Sequence, residues 1–118
     1  MRALLGVVIV LAGLSACSAA KQEPATADLQ WAETSRPVDA RLAERYERSC
    51  AVCHARNGSG APLAGFAPHW KPRLDKGINQ LVQHASDGFN AMPAMGQCND
   101  CSAGDLRALT LFMARSGT

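Results

Sequence analysis

Apolar residues first appear as one block, Leu4 to Leu14 (LLGVVIVLAGL), behind Met1 and Arg2. A charged start, an apolar run and small residues after it form the three-part layout of a secretory leader. A membrane-spanning helix needs about 20 apolar residues, and this run is shorter. The pattern then changes. Residues 18–35 (SAAKQEPATADLQWAETS) are rich in small and charged side chains, which predicts a flexible tether with Trp31 as a loosely ordered aromatic. Next, Val38, Leu42 and Tyr46 recur at four-residue spacing, with Arg41, Glu44, Arg45, Glu47 and Arg48 between them. That is a single apolar stripe on a helix. Pro37 suits its first position and Ser35 or Arg36 its cap, so the helix is expected from about Pro37 straight into Cys50.

Between Asn57 and Pro72 the chain carries Gly58, Gly60, Pro62, Gly65, Pro68 and Pro72. That density of breakers predicts a long loop with no regular element. A long ordered loop in a compact domain usually serves a function, such as wrapping a cofactor. Helical spacing returns over Gly77–Ser86, where Ile78, Leu81, Val82 and Ala85 share a face and Gly88 marks the end. A last helix is expected from about Ala103 to Arg115, with Ser102 as its cap, Asp105 completing a capping box, and Leu106, Leu109 and Met113 facing inward. No segment alternates with the period of a strand, and no internal repeat is present. The expected class is all-α.

Composition sharpens this picture. A chain of 118 residues allows one domain, here expected over 36–118, and only 5% of it is aromatic. A domain this small buries a limited share of its surface, and a bulky apolar cofactor in the core would relieve that shortage. The formal charge is +2; losing Arg2 with a leader would leave 11 basic against 10 acidic residues, a charge of +1. No clustered basic face argues for a nucleic-acid partner.

Five cysteines carry the chemistry: Cys17 alone, Cys50-x-x-Cys53, and Cys98-x-x-Cys101. Cys50-Ala51-Val52-Cys53-His54 is C-x-x-C-H, the attachment signature of c-type haem. On a helical turn, positions i, i+3 and i+4 share one face. Two thiols can then join the two haem vinyls while the adjacent imidazole, His54, reaches the iron as proximal ligand. Two C-x-x-C pairs could instead build a four-thiolate zinc site, but zinc would leave His54 without a role. A thioredoxin-like redox pair wants a βαβ context, which the pattern lacks. For the iron's sixth position the candidates are Met92, Met95, Met113, His69 and His84. Met113 lies on an apolar helix stripe and reads as core, while Met92 and Met95 sit in a turn-rich loop. A Met/His pair raises a haem's reduction potential.

Two resemblances add to this reading. Leu14-Ser15-Ala16-Cys17 resembles the bacterial lipoprotein cleavage box. It implies a signal peptide over 1–16, lipidation of Cys17, a lipid-anchored linker over 17–35, and a place at the periplasmic face of the envelope. Ser18, in place of aspartate, points to the outer membrane. Residues 37–117 resemble bacterial class I cytochromes c of the disulfide-bearing cytochrome c5 group. The matching stretches are YERSCAVCH, NGSGAPLAG, the Trp70–Arg73 segment, GINQLVQHASDGFNAMP and GQCNDCSAGDLRALTLFM. The resemblance implies a small helical fold wrapped around one covalent haem c. It implies Met92 as the distal ligand ahead of Met95, a Pro62 carbonyl bonded to the His54 ring, Trp70 and Arg73 in the haem surroundings, and a Cys98–Cys101 disulfide. Two positions depart from the group's pattern: Leu42 stands where a small residue often lets the first and last helices cross, and Met95 where lysine is common.

Together these readings predict a monomeric, membrane-tethered electron carrier that serves redox partner proteins and is not an enzyme. The alternative is a haem enzyme or sensor, a peroxidase or gas binder, with a displaceable sixth ligand.

Overall fold

The computed structural model describes residues 21–115. The leader and Cys17 lie outside them. The described chain is helical, with one isolated antiparallel bridge between Phe89 and Met92. Its helices are α1 (Thr26–Thr34), α2 (Ala40–Arg45), α3 (Ala51–His54), α4 (Ala67–Leu74), α5 (Ile78–Asp87) and α6 (Ala103–Ala114). A π-helical turn over Tyr46–Cys50 fuses α2 to α3, and a short 3₁₀ turn covers Ala94–Gln97. The all-α expectation holds, and no described helix is long and apolar enough to cross a membrane.

The core gathers Tyr46, Leu63, Phe66, Trp70, Leu81, Leu106, Leu109 and Met113. The last helix is built as its sequence predicts. Ser102 Oγ accepts from Asp105 N–H at 3.1 Å, and Asp105 Oδ2 accepts from Ser102 N–H at 2.9 Å. These two bonds satisfy N-terminal amides that a helix otherwise leaves unpaired. Helix α5 stops at Gly88, whose φ of +88° is the conformation glycine adopts without strain.

The start of the domain differs from expectation in three ways. Helix α2 begins at Ala40, not Pro37, because Asp39 is the working cap: its carboxylate accepts from Leu42 N–H at 2.9 Å. Val38 therefore falls outside the helix and is fully exposed, off the predicted stripe. Leu42 is half-buried at the rim of the core, and the first and last helical regions meet through Tyr46, whose ring stands edge-on to Phe112 at 5.1 Å.

The predicted loop contains α4. Pro68 takes its second position, where a missing N–H costs nothing, and Pro72 falls in the exposed last turn. Trp70 anchors the helix by burying its ring and donating from Nε1 to Leu63 O at 2.7 Å.

The tether expected over 17–35 is replaced at residues 26–34 by α1, which docks on the domain. Ala32 is completely buried. Trp31 lies 5.3 Å from the Phe112 ring and under the Arg115 guanidinium at 5.0 Å. It fills the space beside Gly65, where a Cβ would stand 2.1 Å from Trp31 Cε3. Gly65 also has φ +79° and donates its N–H to Met113 O at 2.7 Å. The apolar pair Leu29 and Ala32, three residues apart beside Trp31, was the sequence signal for this docked face.

Candidate haem attachment site

The π turn delivers Cys50 to the head of α3, and α3 ends on His54. Ser49 Oγ donates to Arg45 O one turn back and lies 3.7 Å from Cys50 Sγ. π turns inside helices are common at functional sites, because the extra residue rotates the side chains that follow. The two thiols differ: Cys53 is exposed and Cys50 half-buried, and burial pushes the Cys50 thiol above its ordinary value.

His54 is buried, and its ring is oriented by one bond. Nδ1 lies 2.8 Å from Pro62 O. A carbonyl accepts only, so Nδ1 carries the proton and Nε2 keeps a free lone pair. Burial, more than any charge, holds the imidazole below its usual pKa. The ring is therefore neutral, the form that binds metals. Trp70 backs it at 5.8 Å between ring centroids. Ala64 N–H donates to His54 O at 2.8 Å, closing the loop against the end of α3.

The second cysteine pair behaves differently. Cys98 and Cys101 form a disulfide with Cα atoms 5.3 Å apart, ahead of α6. Cys98 is completely buried and Cys101 nearly so. A four-thiolate zinc site would need these two sulfurs free, so the disulfide excludes that reading. Their burial also argues against thiol exchange, which needs access.

The candidates for a sixth ligand separate by surroundings. Met113 is buried in the core as expected, and Met95, at φ +60°, packs against the core. Met92 is half-buried with its methyl beside Gly96, and its backbone exchanges two hydrogen bonds with Phe89, at 2.9 and 3.0 Å. His84 stacks on Phe89 at 4.1 Å. His69 turns Nδ1 toward Leu63 N–H at 3.0 Å, a contact with no signal in the chain's pattern. Arg73 is exposed and donates to His69 O within its own helix.

Two free thiols and a neutral imidazole with one nitrogen fixed, in C-x-x-C-H spacing, are the donor set of a covalently held haem. In this chain Cys50 and Cys53 would hold it, with His54 on one side. Helical fold and attachment motif together define a c-type cytochrome. A family model described as cytochrome c oxidase, cbb3-type, subunit III matches residues 37–113. Cytochrome c5 of Ectopseudomonas mendocina is 40% identical over 62 residues, covering 51% of this chain and 71% of that protein. Cytochrome c5 of Azotobacter vinelandii is 39% identical over 61 residues, covering 50% and 74%. A chain in a crystal structure of an electron transfer complex of nitrite reductase with cytochrome c superposes with a TM-score of 0.58 at 30% identity, covering 67% of this chain and 96% of that one. The chain belongs to this cytochrome c family, as a class I c-type cytochrome of the c5 group. Its cofactor is haem c with iron, one per chain, and its general role is that of a c-type haem electron carrier.

Proposed function

We propose that the protein is a lipid-tethered periplasmic electron carrier with His54 and Met92 as axial ligands, exchanging electrons with partner proteins and performing no catalysis. The single observation that carries this reading is the His54 Nδ1–Pro62 O bond of 2.8 Å, which leaves the Nε2 lone pair free for a metal. Haem c, when bound, supplies one reversible ferric/ferrous couple. The chain's own part is to keep both sides of the metal closed. His54 is held in one tautomer by Pro62, and Met92 is favoured over Met95 because Met95 is already engaged in the core. With both side chains bound, the iron would offer no open position to a substrate, which favours electron transfer over peroxidase or gas-binding chemistry. Lipid on Cys17 would keep the carrier at the envelope. Redox partner proteins find support in the similar chain, which comes from an electron transfer complex of nitrite reductase with cytochrome c.

The test is absorption spectroscopy on the chain matured in cells that attach haem c. Haem that survives denaturation, a ferric far-red band from methionine-to-iron charge transfer, and no response to carbon monoxide are expected. Met92→Ala should abolish the band and Met95→Ala should keep it. Ready carbon monoxide binding by the wild-type protein would overturn the closed-carrier reading. Fractionation with mass analysis of the N-terminus checks lipidation: an unmodified soluble product would overturn the tether.

A further inference from the structure

The segment Pro62–Ala64 is pinned by three rings. Pro62 O faces His54 Nδ1 at 2.8 Å, Leu63 O accepts from Trp70 Nε1 at 2.7 Å, and Leu63 N–H donates to His69 Nδ1 at 3.0 Å. The first two bonds belong to the haem attachment site and its backing ring. The third comes from a side chain outside that site and depends on protonation. A neutral imidazole nitrogen accepts; an imidazolium has donors on both nitrogens. Protonated His69 would present a donor to a donor, and the Leu63 peptide would have to move. The Leu63 N–H and the Pro62 carbonyl that orients His54 are the two ends of one planar peptide group, so moving one moves the other.

We propose that His69 is a positioning residue for the proximal histidine: unprotonated, it holds Leu63 in place and so sets how firmly the Pro62 carbonyl grips His54, which makes the reduction potential of the haem depend on the protonation of His69. The inference rests on His54 being an axial ligand. A firm bond to a ligand's second ring nitrogen raises its basicity and favours the ferric ion. Loosening that bond shifts the potential upward, so the potential rises as pH falls. The charged groups near His69 are Arg73 on its own helix and Lys21 and Glu23 from the N-terminal segment; Phe66 stands edge-on at 4.7 Å. Burial first, then Arg73 and Lys21, lower its pKa, with Glu23 opposing. The transition therefore belongs on the acid side of the ordinary histidine value.

The experiment uses the full mature holoprotein and measures midpoint potential against pH from pH 4.5 to 8. Exchange of the Leu63 amide is followed by NMR over the same range. Wild type should show an inflection below pH 6.5, with Leu63 exchange accelerating through it. His69→Gln offers an amide oxygen to Leu63 N–H; it should keep the alkaline potential of wild type and lose the inflection. His69→Phe offers no acceptor and should sit at a more positive potential throughout, even at pH 8. If His69→Phe matches wild type at pH 8, the effect is only charge across space and the positioning role is overturned. An inflection that persists in either variant, or a Gln variant that behaves like Phe, overturns it as well. Spectra recorded alongside separate the two layers. Lost histidine ligation in wild type would overturn the ligand assignment and this inference with it, while intact spectra with a flat potential overturn this inference alone.

Discussion

In the reading proposed above the haem has a proximal side at His54 and a distal side at Met92, and the two are held by different means. The proximal side, His54 and the loop Pro62–Gly65, is held by hydrogen bonds from side chains and backbone of three separate elements: α3, α4 and α6. The distal side, Phe89–Gln97, is held by its own backbone. Phe89 and Met92 bond to each other, Gly96 N–H donates to Pro93 O at 3.0 Å, and Cys98 N–H donates to Met95 O at 2.9 Å. Asn90, Met95 and Gln97 all have φ above +50°, a region that side chains rarely adopt. The Cys98–Cys101 disulfide follows the segment directly, and Arg45 and Arg48 bind Asp100 within its turn. The difference points to a division of labour: the proximal side is fixed by side chains from the rest of the fold, while the distal side is a cassette held by its own backbone and braced by the disulfide turn that follows it.

The hardest way to break this contrast is to disturb the proximal loop from behind. Gly65→Ala places a Cβ 2.1 Å from Trp31 Cε3 at a residue with φ +79°. Overpacking and left-handed strain together should cost about 3 kcal/mol. Denaturant unfolding should report the loss, and Trp31 emission should move to longer wavelength as α1 lifts. A change under about 0.5 kcal/mol would mean that α1 is not seated on Gly65.

Opening the distal side should cost less and act more locally. Cys98→Ser with Cys101→Ser removes a four-residue loop closure, about 2 kcal/mol on the chain-entropy model. The weaker distal loop should diminish the methionine band and leave histidine ligation unchanged. Equal loss on both sides would contradict the cassette picture. Trp70→Phe tests the other side, since it leaves Leu63 O without its donor. A buried carbonyl deprived of its partner costs about 1.5 kcal/mol. Its signature should be a shifted potential with the methionine band intact.

How much of this was legible in the sequence depended on how local the cause was. Helix α6 follows from its own residues, because Ser102, Asp105 and the spacing of Leu106, Leu109 and Met113 are all local signals. C-x-x-C-H marked attachment because i, i+3 and i+4 share a face. Helix α4 was hidden, because Pro68 and Pro72 read as breakers until Trp70 is seen anchored to Leu63 across the loop. Helix α1 was hidden because its stability comes from Gly65, more than 30 residues away. A glycine in a loop sequence reads as freedom, whereas here it is space for a tryptophan. His69 is a ligand candidate by its ring alone; its actual partner, a loop amide six residues earlier, leaves no pattern in the chain.

The smallest effect belongs to the start of α6, which joins the distal disulfide to the first helical region. Asp105 accepts from Ser102 N–H and Oγ, and from Arg41 and Arg45 at 2.8 and 2.7 Å. Arg45 also reaches Asp100, at 3.1 Å, inside the disulfide turn. The bonds from Ser102 come first, and Arg41 follows, in holding the Asp105 carboxyl well below the usual carboxylate range. A folded-state pKa below the unfolded value means that the unfolded chain takes up the proton first. The stabilisation is therefore complete above the ordinary aspartate pKa and is lost as pH falls below it toward the depressed value. Ser102→Ala removes the hydroxyl and keeps the N–H, so it should cost about 1 kcal/mol near neutral pH. It should also raise the folded pKa of Asp105, and the acid-unfolding midpoint should move to higher pH. Circular dichroism during an acid titration reads that midpoint. If denaturant unfolding instead shows the same loss at every pH down to that midpoint, Ser102 acts only as a helix cap, and Asp105 owes its charge to the arginines.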